Sequence, residues 1–132
     1  MVLVDTNVLA YLLIEGDRTT AAQELYARDQ DWQSEVFVLV ELTNILATYT
    51  RTGALTREQG TKLLAEAETL ISSLPSVAHE EAHEVATEFG ISAYDAKFIA
   101  LARQMKSKLV TEDAKLRKAV PAWTIALSDS LV

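Results

Sequence analysis

The sequence predicts an α/β fold, a short central parallel sheet flanked by helices, with a helical hairpin as an arm. Three observations predict it. Short strand-like runs such as Val2–Val4 and Leu109–Thr111 alternate with longer stretches whose apolar residues recur at helical spacing. Breakers separate them at Gly16-Asp17, Thr52-Gly53-Ala54, Pro75, Gly90 and Pro121. The first strand candidate is apolar throughout rather than alternating, as strands covered on both faces are. At 132 residues and 49% apolar, the chain is expected to form one domain over residues 1–132.

Taken in order, Val2 to Val4 reads as a buried strand, and Val8 to Ile14 opens a helix that continues, interrupted near Gly16, to about Asp31. A second strand is expected over Glu35 to Val38. From Glu41 to Arg51, Leu42, Ile45, Leu46 and Tyr49 fall at helical spacing. Thr56 with Gln59 three residues on has the capping-box spacing, opening a helix that runs to about Leu74 and stops at Pro75. These two helices form the hairpin. His79 to Phe89 is helical and acidic and ends at Gly90. Ser92 with Asp95 repeats the capping spacing and opens Ala93 to Met105. Lys108 to Thr111 reads as strand, Asp113 to Ala119 as a short helix, and Trp123 to Leu127 as a last strand.

Composition narrows the chemistry. There is no cysteine, which excludes disulfides, thiolate metal sites and a cysteine nucleophile. The first apolar run carries Asp5 and lacks a basic leader, and no stretch reaches the length of a membrane span, so a cytoplasmic protein is expected. A net charge of −7 argues against a generic nucleic-acid coat. The charge is unevenly spread: Glu66 to Glu88 holds six glutamates and no Lys or Arg, whereas Lys97 to Lys118 holds seven of the twelve basic residues.

Isolated acids in apolar surroundings carry the functional signal. Asp5 is the first ionisable side chain and follows a strand, at the carboxyl edge where open α/β sheets bind ligands. Glu41 is the only charge between Val36 and Leu46; Asp95 begins a helix, and Asp113 follows the strand ending at Thr111. Each has a modest explanation. Asp5 or Asn7 and Asp113 could cap helices, Asp95 could be the reciprocal partner of Ser92, and Glu41 could sit in a buried ion pair. Together, four carboxylates at one sheet edge would raise one another's pKa values unless a cation were present. Without His or Cys, that pocket suits Mg²⁺ or Mn²⁺ better than Zn²⁺. Such an ion lowers the pKa of bound water and neutralises charge building on a phosphodiester.

Four segments, in order, carry a family resemblance: Val2-Leu-Val-Asp5-Thr-Asn-Val-Leu9, Val38-Leu-Val-Glu41-Leu-Thr-Asn44, Gly90-Ile-Ser-Ala-Tyr-Asp95-Ala-Lys-Phe-Ile-Ala-Leu-Ala102 and Leu109-Val-Thr-Glu-Asp113-Ala-Lys-Leu116. With the hairpin between them they span nearly the whole chain, which resembles the PIN-domain ribonucleases and especially the VapC-type toxins of toxin–antitoxin pairs. The resemblance implies a three-layer PIN-like fold and a Mg²⁺- or Mn²⁺-dependent endoribonuclease. Its four acids fall on Asp5, Glu41, Asp95 and Asp113, holding one or two ions and leaving products with a 5′-phosphate and a 3′-hydroxyl. Asn7 and Thr111 fall on supporting polar positions, while Asn44 and Tyr94 match a subset of the family. Lys97, Lys115 and Arg117 are candidates for steering the RNA backbone. The resemblance further implies a VapB-type antitoxin as partner and a homodimer. Where some relatives carry a further acid after the last motif, this chain has Lys115 and Leu116.

Other readings compete. A free-standing RNA-processing nuclease would have the same acids, and a non-catalytic module could use them to receive a partner's basic side chains. His79-Glu80-Glu81-Ala82-His83 fits the H-E-x-x-H pattern of zinc metalloproteases but lacks its third-ligand extension. Asp5-x-Asn7 after a strand vaguely resembles haloacid-dehalogenase-like phosphotransferases, a reading that leaves Glu41 unexplained.

Overall fold

A computed structural model describes all residues, 1–132. Strands β1 (Val2–Val4), β2 (Trp32–Gln33), β3 (Leu109–Val110) and β4 (Thr124–Ile125) form one parallel sheet in the order β2-β1-β3-β4. The chain leaves β1 first to one side and later to the other, so the boundary between β1 and β3 is a topological switch point. Leu3 pairs with Leu109 and Val4 with Val110, which brings the residues after both strands to one edge. That register positions Asp5 beside Thr111.

Helices α1 (Thr6–Leu13), α2 (Thr19–Arg28), α3 (Phe37–Arg51), α4 (Arg57–Leu70), α5 (His79–Phe89), α6 (Ala93–Met105), α7 (Ala114–Ala119) and α8 (Leu127–Ser130) flank the sheet. One group packs α1 against α2, α3 and α4; another packs α5 against α6. The core joins Leu3, Val4 and Leu109 of the sheet to Val8 and Leu9 of α1, Val38 and Leu42 of α3, and Ile99 and Leu101 of α6, all buried. The hairpin is formed by α3 and α4, turned at Gly53 in the left-handed region (φ 84°) and opened again by the Thr56–Gln59 capping box. No helix is long and apolar enough to cross a membrane.

The second strand lies earlier than the sequence suggests. Val36 to Val38 looks strand-like by β-branching, yet Val38, Leu42 and Leu46 recur every fourth residue and are all buried, so tertiary packing takes the run into helix. Glu35 fixes where that helix begins. Its carboxylate accepts from the Phe37 N–H (2.6 Å), and its carbonyl accepts from Val38 (2.9 Å). The strand is then the short Trp32–Gln33, after which the Ser34 hydroxyl donates to the Val4 carbonyl (2.7 Å). Helix α4 also stops short of Pro75. Ser72 and Ser73 leave it to run beside β2, with the Ser72 N–H on the Trp32 carbonyl and a parallel bridge from Gln33 to Ser73. The last strand shrinks to two residues because Pro121–Trp123 winds into a 3₁₀ turn and Glu112 caps Leu127 (2.7 Å), starting α8.

Glu35 is fully buried, and its second oxygen lies 3.4 Å from the Lys97 ammonium without completing a hydrogen bond. The pair ties the start of α3 to the first turns of α6. Removing one partner of a buried pair strands the other. Glu35→Ala is therefore expected to lower the unfolding free energy by about 2–4 kcal/mol. Glu35→Gln should cost less, because its amide oxygen still serves Phe37; urea denaturation of the two variants checks this.

Candidate active site

Each acid reaches the carboxyl edge of the sheet by a local rule. Asp5 follows β1 and is the N-cap of α1, its Oδ1 accepting from the Val8 N–H (3.0 Å). Asp113 caps α7 in the same way through the Leu116 N–H (3.0 Å), and its own N–H donates to the Thr111 hydroxyl (3.1 Å). Asp95 stands in the first turn of α6, its N–H on the Ser92 hydroxyl (3.0 Å). Glu41 projects from the second turn of α3 and accepts from the Thr6 hydroxyl (2.6 Å). Capping and site membership coexist, since a cap occupies only one oxygen of Asp5 and of Asp113.

All four acids line one concavity of about 460 Å³. Asn7, Asn44 and Tyr94 line it as well, and no Lys, Arg or His does. Helix α3 shows why the pocket has a wall here: Phe37, Val40, Glu41, Asn44 and Ile45 follow helical spacing on its pocket side, while Val38, Leu42 and Leu46 are buried on the other.

The electrostatics are those of uncompensated anions. Asp5 is only 9% exposed, and burial pushes its carboxyl up to about 6 from an ordinary 3.8. The Thr111 hydroxyl and the Val8 N–H oppose that rise, and the charges of Glu41 and Asp113 add to it. Glu41 is also raised, by burial and by Asp95, against the Thr6 hydroxyl. Asp95 is raised by burial and by Asp113, against Ser92. The repulsions close a ring, Asp5 to Glu41 to Asp95 to Asp113 and back.

That donor set suits a hard divalent cation: all oxygen, all anionic, with no competing base in the lining. No three of the carboxylates already close on a common point. Mg²⁺ does not require that they should, because it commonly keeps several waters and takes one or two carboxylates directly. The histidine motif fits its own metal poorly. His79 and His83 are both exposed on α5, and no group of three ligating side chains includes them, whereas a zinc site needs three protein ligands.

The basic candidates stand elsewhere. Lys97 faces the buried Glu35 carboxylate at 3.4 Å, its side chain 16% exposed, and it does not line the pocket. Arg117 donates to the Thr111 carbonyl (2.9 Å), beside the site rather than in its lining, and Lys115 is exposed on α7. Two contributors were missed by sequence reasoning. Thr6, which holds Glu41, had only its place beside Asp5 to mark it. Glu35 had a signal, being an acid at the head of an apolar helical run, with Lys97 the one basic residue in the otherwise apolar stretch Ala96–Ala102.

Residues 2–120 match the model of the PIN domain family. Ribonuclease VapC3 of Pyrobaculum aerophilum is 27% identical over 123 residues, covering 90% of this chain and 94% of its own. Among solved structures, PAE2754 from Pyrobaculum aerophilum aligns with a TM-score of 0.80 at 22% identity, over 98% of this chain and 90% of that one. FitAcB from Neisseria gonorrhoeae gives 0.71 at 20% identity, over 97% and 99%. VapBC2 from Rickettsia felis, solved with a DNA fragment from their promoter, gives 0.70 at 21% identity, over 94% and 96%. The structural matches carry the same three-layer fold, and the family match runs through all four acids, so the chain belongs to the PIN-domain family.

Proposed function

We propose that residues 1–132 act as one nuclease domain, a Mg²⁺- or Mn²⁺-dependent endoribonuclease and the toxin of a VapBC-type pair. The observation that carries this reading is the ring of four carboxylates in a pocket without a basic residue. A fold does not fix a function, but this site has the chemistry that phosphodiester hydrolysis needs. The relative named Ribonuclease VapC3 and the neighbour VapBC2 support the same direction.

In this reading Asp5, Glu41, Asp95 and Asp113 hold the cation, directly or through water. When bound, the ion supplies charge neutralisation at the phosphate and a water of lowered pKa. The chain's own residues do the rest. Thr6 fixes the Glu41 carboxylate, and Thr111 supports both Asp5 and the backbone of Asp113. Asn7 offers an uncharged amide at the pocket wall. Lys115 and Arg117, outside the lining, draw the RNA backbone toward the edge of the sheet. Water adds to phosphorus and the bond to the 3′-oxygen breaks, leaving a 3′-hydroxyl and a 5′-phosphate. A VapB-type antitoxin restrains the enzyme by bringing a basic side chain to the same acids, and the active form is a homodimer.

Purified wild-type protein is expected to cut RNA with Mg²⁺ or Mn²⁺ and to stop with EDTA. Asp5→Asn and Asp95→Asn should each lose at least about a hundredfold in rate, on the scale of one lost electrostatic contribution. Labelled structured and single-stranded RNAs provide the assay, and an Asp95→Asn protein as active as wild type would refute the assignment. Strong expression without an antitoxin should arrest growth in the wild type and spare it in Asp5→Asn; equal growth of both would favour an RNA-processing role.

The raised carboxyl of Asp5 also predicts a stability effect in metal-free protein. The folded state binds this proton up to about pH 6 and the unfolded chain only to about 3.8, so stability falls as pH rises between them. Asp5→Asn keeps the helix cap and removes the charge, and should stabilise the apoprotein by about 2–3 kcal/mol above pH ~7. The gain should vanish below pH ~4, as thermal melts across pH would show.

A further inference from the structure

We propose that the ring of Tyr94, backed by Phe37, is the seat for one nucleobase of the RNA beside the bond that is cut. The inference rests on the ribonuclease reading and adds to it the contact that holds the strand in place. Tyr94 immediately precedes Asp95, yet 60% of it is exposed. It lies parallel to Phe37, with ring centroids 5.3 Å apart and planes within 5°. Both rings line the concavity that holds the acids, and exposed Val40 continues the apolar lip.

Scattered exposed apolar side chains need no explanation, but a contiguous apolar edge on a functional cavity does. The edge is also held in place. Phe37 begins α3 and Tyr94 lies in the first turn of α6, and the Glu35–Lys97 pair joins those two helix starts. A flat, fixed, half-covered ring is a preorganised stacking surface.

Charge decides what it accepts. RNA brings a row of negative phosphates to a pocket lined by four acids and no base. Within this lining, beyond the cation, binding must come from contacts indifferent to charge, and stacking is a substantial one, since every base offers a π face. One such contact is worth roughly 5- to 150-fold in affinity. The same lining holds Asn7 and Asn44, whose amides are uncharged donors and acceptors of the kind a base edge pairs with.

The test uses short single-stranded RNAs carrying one 2-aminopurine at successive positions, bound to protein in an Asp113→Asn background that leaves the strand uncut. Fluorescence should be quenched at one position, and the quench should survive Tyr94→Phe and Tyr94→Trp. Tyr94→Ala and Tyr94→Leu should abolish it, and in otherwise wild-type enzyme raise KM about tenfold, with more effect on KM than on kcat and a melting temperature lowered by no more than a few degrees through loss of the Phe37 contact. If Tyr94→Ala keeps both the quench and the KM of an active wild type, no base sits on Tyr94, and the nuclease reading stands without it. Loss of antitoxin capture with RNA binding intact would assign the lip to a protein and overturn the proposal equally. Wild-type protein that neither cuts nor binds any of these RNAs in Mg²⁺ would remove the ribonuclease reading and this inference with it.

Discussion

Four carboxylates brought to one edge of a sheet, with no basic side chain among them, are the constraint around which this molecule is arranged. Such a cluster opposes folding on its own, because burial and mutual repulsion both disfavour the ionised forms. The fold tolerates it by giving two of the acids a backbone task and placing a third at a helix start. Asp5 and Asp113 cap helices and Asp95 sits in a first turn, where negative charge is favoured by the helix dipole. Thr6 and Thr111 add hydroxyl contacts. The remaining conflict is the one that the proposed cation would resolve.

The parallel register of β1 and β3 makes the convergence possible. Because Val4 pairs with Val110, the residues that follow each strand emerge together, and a one-residue slip would separate Asp5 from Thr111. Helices α3 and α6 close the other half of the ring from outside the sheet. Their relative position is not set by strand pairing, which gives the Glu35–Lys97 contact its importance: it joins the two elements that carry Glu41 and Asp95. A charge pair inside the protein thus supports an arrangement of unpaired charges at its surface.

Much of this was legible in the sequence, and the failures share a cause. Helix ends written in local chemistry read correctly: Thr56 with Gln59, Gly90, and the span His79–Phe89. The acids were legible because a lone charge in an apolar run is conspicuous. What could not be read was settled by contacts distant in the chain. The strand expected at Glu35 to Val38 became the start of a helix because Val38, Leu42 and Leu46 are needed in the core. The end of α4 was set by Ser72 and Ser73 pairing with the edge at β2, not by Pro75. The contact between Lys97 and Glu35, sixty-two residues earlier, lay beyond the reach of any local rule. Local rules place caps and breaks; partners across the fold choose between readings that local rules leave equal.

The Ser72–Ser73 segment has a consequence beyond ending a helix. It lies along the outer side of β2, so that margin of the sheet is already occupied by the chain itself. The opposite margin, β4, offers two residues between a 3₁₀ turn and α8. Neither side presents a long row of free amides and carbonyls on which another strand could grow. The sheet is thereby protected from the edge-to-edge pairing that leads to aggregation, and sheet extension across subunits has no long strand to start from.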